Sequence, residues 1–257
     1  MSNLTIRPLN TGFVPTNPFQ YHYHHSCAPY LKGVPNEKVP LPVFVYLVEG
    51  GDKLLLVDTG MAWTERANDY HHPGSWQNPG QDIESLLAAH GYKCSDVDIV
   101  VYTHLHWDHT FGNHYFVGKK IYVQKREFDF AMDPWKLFDS SYEHWRTGRT
   151  PPWACSIPDF EFVYGDMDVI PGIRLIALPG HSPGSQGVLV DTEKGQYLIA
   201  GDCIGSYDCW TAPGHIVGAV HSSISEYLDT YKKMDQMDCQ ILPGHDGKVL
   251  EHDVYPF

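Results

Sequence analysis

The segment THLHWDHT at residues 103–110 places three histidines and one aspartate between His104 and His109, at the end of an apolar run, DIVVYT at 98–103. This feature constrains the fold more than any other. A rigid strand must deliver several metal donors to one point, and the rest of the coordination shell must arrive from elsewhere in the chain. If the chain leaves the strand extended, His104 and His106, two apart, project to the same side and can share one cation. Asp108 and His109 follow on the turn and reach toward a second cation. Imidazole nitrogen and carboxylate oxygen suit Zn²⁺, Fe²⁺ or Mn²⁺, and a donor set without cysteine is typical of catalytic rather than structural zinc. Two ions roughly 3.5–4 Å apart would share a water and make it nucleophilic at neutral pH.

Around this segment, apolar runs bounded by turn residues alternate with helical patterns, as in a mixed α/β domain. PVFVYLV (42–48) and KLLLVD (53–58), joined through Glu49, Gly50, Gly51 and Asp52, are predicted to form a hairpin at the N-terminal edge of a sheet. QDIESLLAAHG (81–91) carries Ile83, Leu86, Leu87 and Ala88 at helical spacing and stops at Gly91, a common residue just past a helix end. In the second half, DVIPGIRLIALPGHS, SQGVLVDTE, QYLIAGD and CQILPGHD each read as strand followed by polar loop. These strand ends offer His181, Asp202 and His245, and strand ends are where ligand sites form in open α/β sheets. Residues 132–160 are an irregular, aromatic-rich stretch with Trp135, Phe138, Tyr142, Trp145 and Trp153. A loop this long inside a domain is expected to serve as a pocket wall or lid, or as the contact of a homodimer.

The 257 residues suffice for one domain with a sizeable core, and 42% hydrophobic with 19% charged residues is ordinary for a globular chain. A net charge of −13 argues against nucleic acid or an anionic membrane as partner, since phosphate recognition relies on clustered Lys and Arg, and favours a small-molecule substrate. The first thirty residues lack the basic start and apolar core of a signal peptide, so a cytoplasmic location is expected. Six cysteines without a C-x-x-C pair do not form a structural zinc knuckle or a disulfide framework. In YHYHH (21–25), His22, His24 and His25 are expected at the surface or a pocket rim rather than in an extra metal site.

H-x-H-x-D-H followed by His181, Asp202 and His245, and preceded by LLLVDTG, resembles the metallo-β-lactamase superfamily of dinuclear metal hydrolases, in the right order from Pro42 to Gly247. The resemblance implies a single domain over residues 1–257 with the superfamily's α/β four-layer αββα sandwich. It implies that His104, His106 and His181 hold a first metal, that Asp108, His109 and His245 hold a second, and that Asp202 bridges them. Zinc is the expected ion, with iron, manganese or cobalt as alternatives. Asp58 in VDTG would hold a ligand histidine in its required tautomer.

Within the superfamily, LPVFVYLVEGGDKLLLVDTGM, THLHWDHTFGN, IYVQKREFDFA and PGIRLIALPGHSPGSQGVLVDT resemble the N-acyl-homoserine lactonase family. This implies opening of an N-acyl-homoserine lactone, or a related small lactone, by a hydroxide held between the metals, with Asp108 taking and returning the proton. The corresponding role would be quorum quenching. That family carries a tyrosine three residues after the bridging aspartate; here the position is Gly205, and Tyr207 is the expected catalytic substitute. Two other readings share the fold: a glyoxalase-II-like thioesterase, which needs a basic site for a glutathione carboxylate, and a non-hydrolytic metal sensor or redox protein. Retention of all seven donors favours the hydrolase.

Overall fold

The strand pattern of the sequence assembles into two packed sheets in the computed structural model, which describes residues 3–18 and 36–257. The first sheet runs β1 (Thr5–Thr16), β2 (Val39–Glu49), β3 (Leu55–Val57), β4 (Ile99–Val101), β5 (Lys120–Gln124) and β6 (Phe160–Val163) in that spatial order. The second contains β7 (Met167–Ile170), β8 (Ile173–Ala177), β9 (Gln186–Thr192), β10 (Gly195–Gly201) and β11 (Cys239–Pro243), ordered β11-β10-β9-β8-β7.

Side chains alternate along each strand, so each sheet presents two faces. On β2, Phe44, Tyr46 and Val48 point between the sheets, where they meet Leu175, Val188, Val190 and Ile199 of the second sheet. Val45 and Leu47 point outward, against Ile83 and Leu87 of the helix Ile83–Ala89. On β10, Ile199 faces inward while Leu198 and Ala200 pack under Tyr227, Tyr231 and Met234 of the helix Ile224–Met234. Helix, sheet, sheet, helix is therefore the layering, the αββα sandwich that the sequence implied. β4 is apolar at every position because both of its faces are covered: Ile99 and Val101 face the second sheet and Val100 faces the outer core.

The β2–β3 hairpin forms as predicted, with Tyr46 paired to Val57, but it is not the edge of its sheet. β1 covers it, pairing antiparallel with β2 from Thr5 opposite Glu49 to Thr16 opposite Val39. β1 carries Pro8 and Pro15 and shifts register between Asn10 and Phe13, which hides the period-two signal; prolines of this kind are tolerated on an edge strand. His22, His24 and His25 lie outside the described residues.

The 132–160 stretch is not a loose loop. It folds as 3-10 turns, including Lys136–Phe138 and Pro152–Asp159, and buries Phe138, Tyr142 and Trp153 in the outer core of the first sheet. Trp135 and Leu137 remain exposed. Among the described residues no helix is long and apolar enough to cross a membrane.

Candidate metal centre

Five donor-bearing segments meet at one edge of the sandwich. β4 ends at Val101 and the chain leaves it extended; His106 itself has φ −68° and ψ 157°. That brings His104 Nε2 to 2.9 Å from His106 Nδ1, the same-side projection expected of residues two apart. The short helix Trp107–Thr110 then carries Asp108 and His109. His181 comes from the loop between β8 and β9, Asp202 follows β10 and His245 follows β11. Gly244 allows the last two to approach: a Cβ there would lie 2.6 Å from Asp202 Oδ1.

The donor atoms group as two compact triads, His104 with His106 and His181, and Asp108 with His109 and His245. Asp202 stands between them. Its Oδ1 lies 3.2 Å from His109 Nε2 and 3.1 Å from His245 Nε2, while Oδ2 lies 3.5 Å from His181 Nε2. All seven side chains are buried.

The outward nitrogen of four imidazoles is already engaged, which settles the tautomers. His109 Nδ1 donates to Asp58 Oδ2 at 2.8 Å, His181 Nδ1 to Val220 O at 3.0 Å, and His245 Nδ1 to Pro42 O at 2.8 Å. The Thr103 hydroxyl gives its proton to Asp58 Oδ2, so at 3.1 Å it accepts from His104 Nδ1. The Nε2 atoms of these four rings therefore turn inward, those of His104 and His181 as bare acceptors and those of His109 and His245 toward the Asp202 carboxylate. His106 is reversed: its Nδ1 faces His104 Nε2 and, at 3.2 Å, His181 Nε2.

One proton on His106 Nδ1 can satisfy one of those two acceptors but not both. His106 Nε2, His109 Nε2 and Asp202 Oδ1 are in addition buried without a hydrogen bond of acceptable geometry. Each such group costs about 1–3 kcal/mol if left so. A cation inside each triad removes the conflict, because converging lone pairs become ligands. This donor set fits two borderline divalent ions with nitrogen and oxygen coordination.

In the three-histidine triad protonation is consistent with that fit. Burial, reinforced by neighbouring imidazoles, holds His104 and His106 well below the ordinary histidine value, and burial lowers His181. These are neutral rings at neutral pH, the ligating form. Burial also acts to lower His109 and His245, but Asp202 and its neighbouring carboxylates outweigh it and raise both.

Asp58 holds the site from behind. Buried and in the left-handed region at φ 64°, it accepts from the Thr103 amide at 2.7 Å as well as from Thr103 Oγ1 and His109 Nδ1. It thus orients one ligand of each triad, the role expected of it.

Tyr207 is not brought to this cluster. Its amide is captured by Asp246 Oδ2 at 2.8 Å, which starts the helix Tyr207–Thr211. The phenol then lies with Tyr255 in a groove shared with Tyr197 and Lys248. The small cavity against His181, Asp202 and His245 is lined instead by Gly205, Gly218, Val220 and Tyr227, whose hydroxyl donates to Asp202 O at 2.8 Å. The expected catalytic substitution by Tyr207 is therefore corrected: Gly205 leaves a gap that no phenol fills from that helix.

Two further residues lie against the centre: Tyr142, expected only as part of the aromatic stretch, and Glu127, which the sequence did not single out. The Tyr142 ring stands edge-on to His106 with centroids 4.7 Å apart. Glu127, on the helix Lys125–Met132, is fully buried beneath the loops of His104, His106 and His181. In QKREFDFA it reads as one more solvated helix charge, and nothing local marks it otherwise.

Comparison with known proteins agrees with this architecture. A profile of the Metallo-beta-lactamase superfamily matches residues 39–245. The chain is 32% identical over 170 residues to an N-acyl homoserine lactonase of Bacillus sp, covering 62% of each chain. It thus spans less than two thirds of that relative's length. Among solved structures, it superposes with a TM-score of 0.74 at 24% identity on an N-acyl homoserine lactone hydrolase with the product N-hexanoyl-L-homoserine bound at its catalytic metal centre, covering 98% of this chain and 96% of the other. AidC, a dizinc quorum-quenching lactonase in complex with product, matches with a TM-score of 0.71 at 17% identity, over 96% of this chain and 89% of its own. With the profile spanning most of the chain and the seven donors gathered at one sheet edge, the chain belongs to the metallo-β-lactamase superfamily.

Proposed function

We propose that this chain is a dinuclear-metal hydrolase that opens lactone rings, with N-acyl-homoserine lactones as its substrate class. The observation that carries the reading is the pair of triads sharing Asp202, joined to the likeness of the chain to lactonases. His104, His106 and His181 would hold one ion, Asp108, His109 and His245 the other, and Asp202 both; zinc is the first choice. Ions held there lower the pKa of a water toward neutrality and polarise a carbonyl.

The chain's own residues do the rest. Asp108, whose Oδ2 lies 3.9 Å from His109 Nε2 and 4.0 Å from His245 Nε2, would take a proton from the attacking water and return it to the departing ring oxygen. Asp58 and the carbonyls of Pro42 and Val220 keep their imidazoles in the ligating tautomer. Gly205 and Gly218 line the small cavity beside Asp202.

Acid release by the metal-loaded protein tests this across N-acyl-homoserine lactones, γ- and δ-lactones, a glutathione thioester and a β-lactam. Preference for the acyl-homoserine lactones supports the reading, and turnover of the thioester alone sinks it. Tyr207→Phe is expected to leave kcat and KM for the preferred lactone unchanged. A drop in kcat of roughly tenfold or more, about 1.4 kcal/mol of barrier, would return Tyr207 to the reaction.

A further inference from the structure

Glu127 accepts four hydrogen bonds, and their origins are selective. Oε1 receives the Leu105 amide at 3.0 Å and the Tyr142 hydroxyl at 2.8 Å. Oε2 receives the Ser182 hydroxyl at 2.6 Å and the Gly184 amide at 3.0 Å. Leu105 sits between His104 and His106. Ser182 follows His181, and Tyr142 places its ring against His106. The contact is built for close approach: a Cβ on Gly184 would lie 2.1 Å from the Glu127 amide nitrogen, so only glycine lets the His181 loop lie on this helix.

Each of the four donors belongs to a segment that carries or touches a member of the His104, His106, His181 triad. None comes from the segments of Asp202 or His245, nor from the helix Trp107–Thr110 that carries Asp108 and His109, although Leu105 lies just before that helix. Asp58 reaches His109 directly but touches the three-histidine triad only through Thr103. Burial pushes the Glu127 carboxyl up, and the four donors counter it by favouring the charged acceptor form. A carboxylate with its acceptor sites filled this way fixes two loops relative to each other more firmly than packing alone, because either loop's departure leaves a buried charge short of partners.

We propose that Glu127 is a positioning residue dedicated to one of the two metal sites: it sets the spacing of the three-histidine triad, and with it that site's affinity, without acting on the Asp108, His109, His245 site. This rests on the two-metal reading above. It predicts that the two sites can be uncoupled by a residue that ligates neither ion.

The test is a stepwise zinc titration of the whole protein against a competing chelator, read for two binding constants, with cobalt absorption as a second readout of coordination. His181→Ala and His245→Ala assign each step to its site. Glu127→Gln keeps size but presents an amide N–H₂ to donors. It is expected to weaken the His181-dependent step by roughly 10–100-fold, as loss of an outer hydrogen-bond partner does, to alter the cobalt bands of that site, and to leave the His245-dependent step in place. Equal weakening of both steps, or of neither, overturns the proposal. Should Glu127→Gln not fold, Tyr142→Phe and Ser182→Ala each remove one donor; a smaller selective loss in the same step supports the proposal and unchanged constants overturn it. If the unaltered protein binds no zinc at all, it is the two-metal reading that fails, and Glu127 falls with it.

Discussion

Asp202→Ala is expected to abolish hydrolysis and to leave the protein folded with at most one tightly held ion. The seven donors include only two carboxylates, Asp108 and Asp202, against five imidazoles. Two divalent ions bring four positive charges into a buried site, so removing Asp202 halves the compensating negative charge where water cannot replace it. Among the described residues, the same substitution removes the only carboxylate whose oxygens stand within 3.5 Å of nitrogens from both triads. Losing an outer partner costs roughly 10–100-fold in affinity or activity, and losing this shared donor is expected to exceed that range. The measurement is metal content together with kcat/KM on the preferred lactone. Full activity with two ions bound would sink the assignment of Asp202 as the shared ligand.

Metal removal is the second large effect, and it is read in stability rather than rate. Without cations, the nitrogens that converge on His106 Nδ1 conflict, and His106 Nε2, His109 Nε2 and Asp202 Oδ1 stay buried and unsatisfied. An ion that binds only the folded state stabilises it by about 4 kcal/mol when free metal is 1,000 times Kd. For a chain of this size, that moves Tm by roughly 8–16 °C per ion. Thermal unfolding in chelator and in excess zinc checks this, and coincident curves would mean that the cluster is not a metal site. The chelated protein is expected to stay folded, because the layers between and outside the two sheets, such as Phe44 on Leu175 and Leu47 on Leu87, owe nothing to the donors.

The candidate metal donors were legible because coordination is demanding in residue type and local in spacing. His104, His106, Asp108 and His109 declare themselves within one turn, and His181, Asp202 and His245 each stand where an apolar run ends. Strands were legible for a similar reason: β4, β8, β9, β10 and β11 are short apolar runs whose burial shows in composition. β1 was not, because its prolines and irregular register mask the alternation, and its pairing with β2 joins residues as far apart as Thr5 and Glu49. Tyr207 lay close to the right place in sequence and was misjudged, because a two-residue offset does not say which way a side chain turns. Asp246, from a loop after β11, decides that direction.

By itself, then, the order of residues pointed to candidate donors at strand ends and to a mixed α/β domain, through chemistry and periodicity within a few neighbouring positions, while the four-layer sandwich followed from the resemblance to the superfamily. Tertiary structure alone decided what holds the donors in place. Glu127 meets Ser182 across 55 positions and Leu105 across 22, and His245 meets Pro42 across 203. Such hydrogen bonds leave no periodic trace, because a buried carboxylate and a solvated one are spelled the same way until the chain has folded around them.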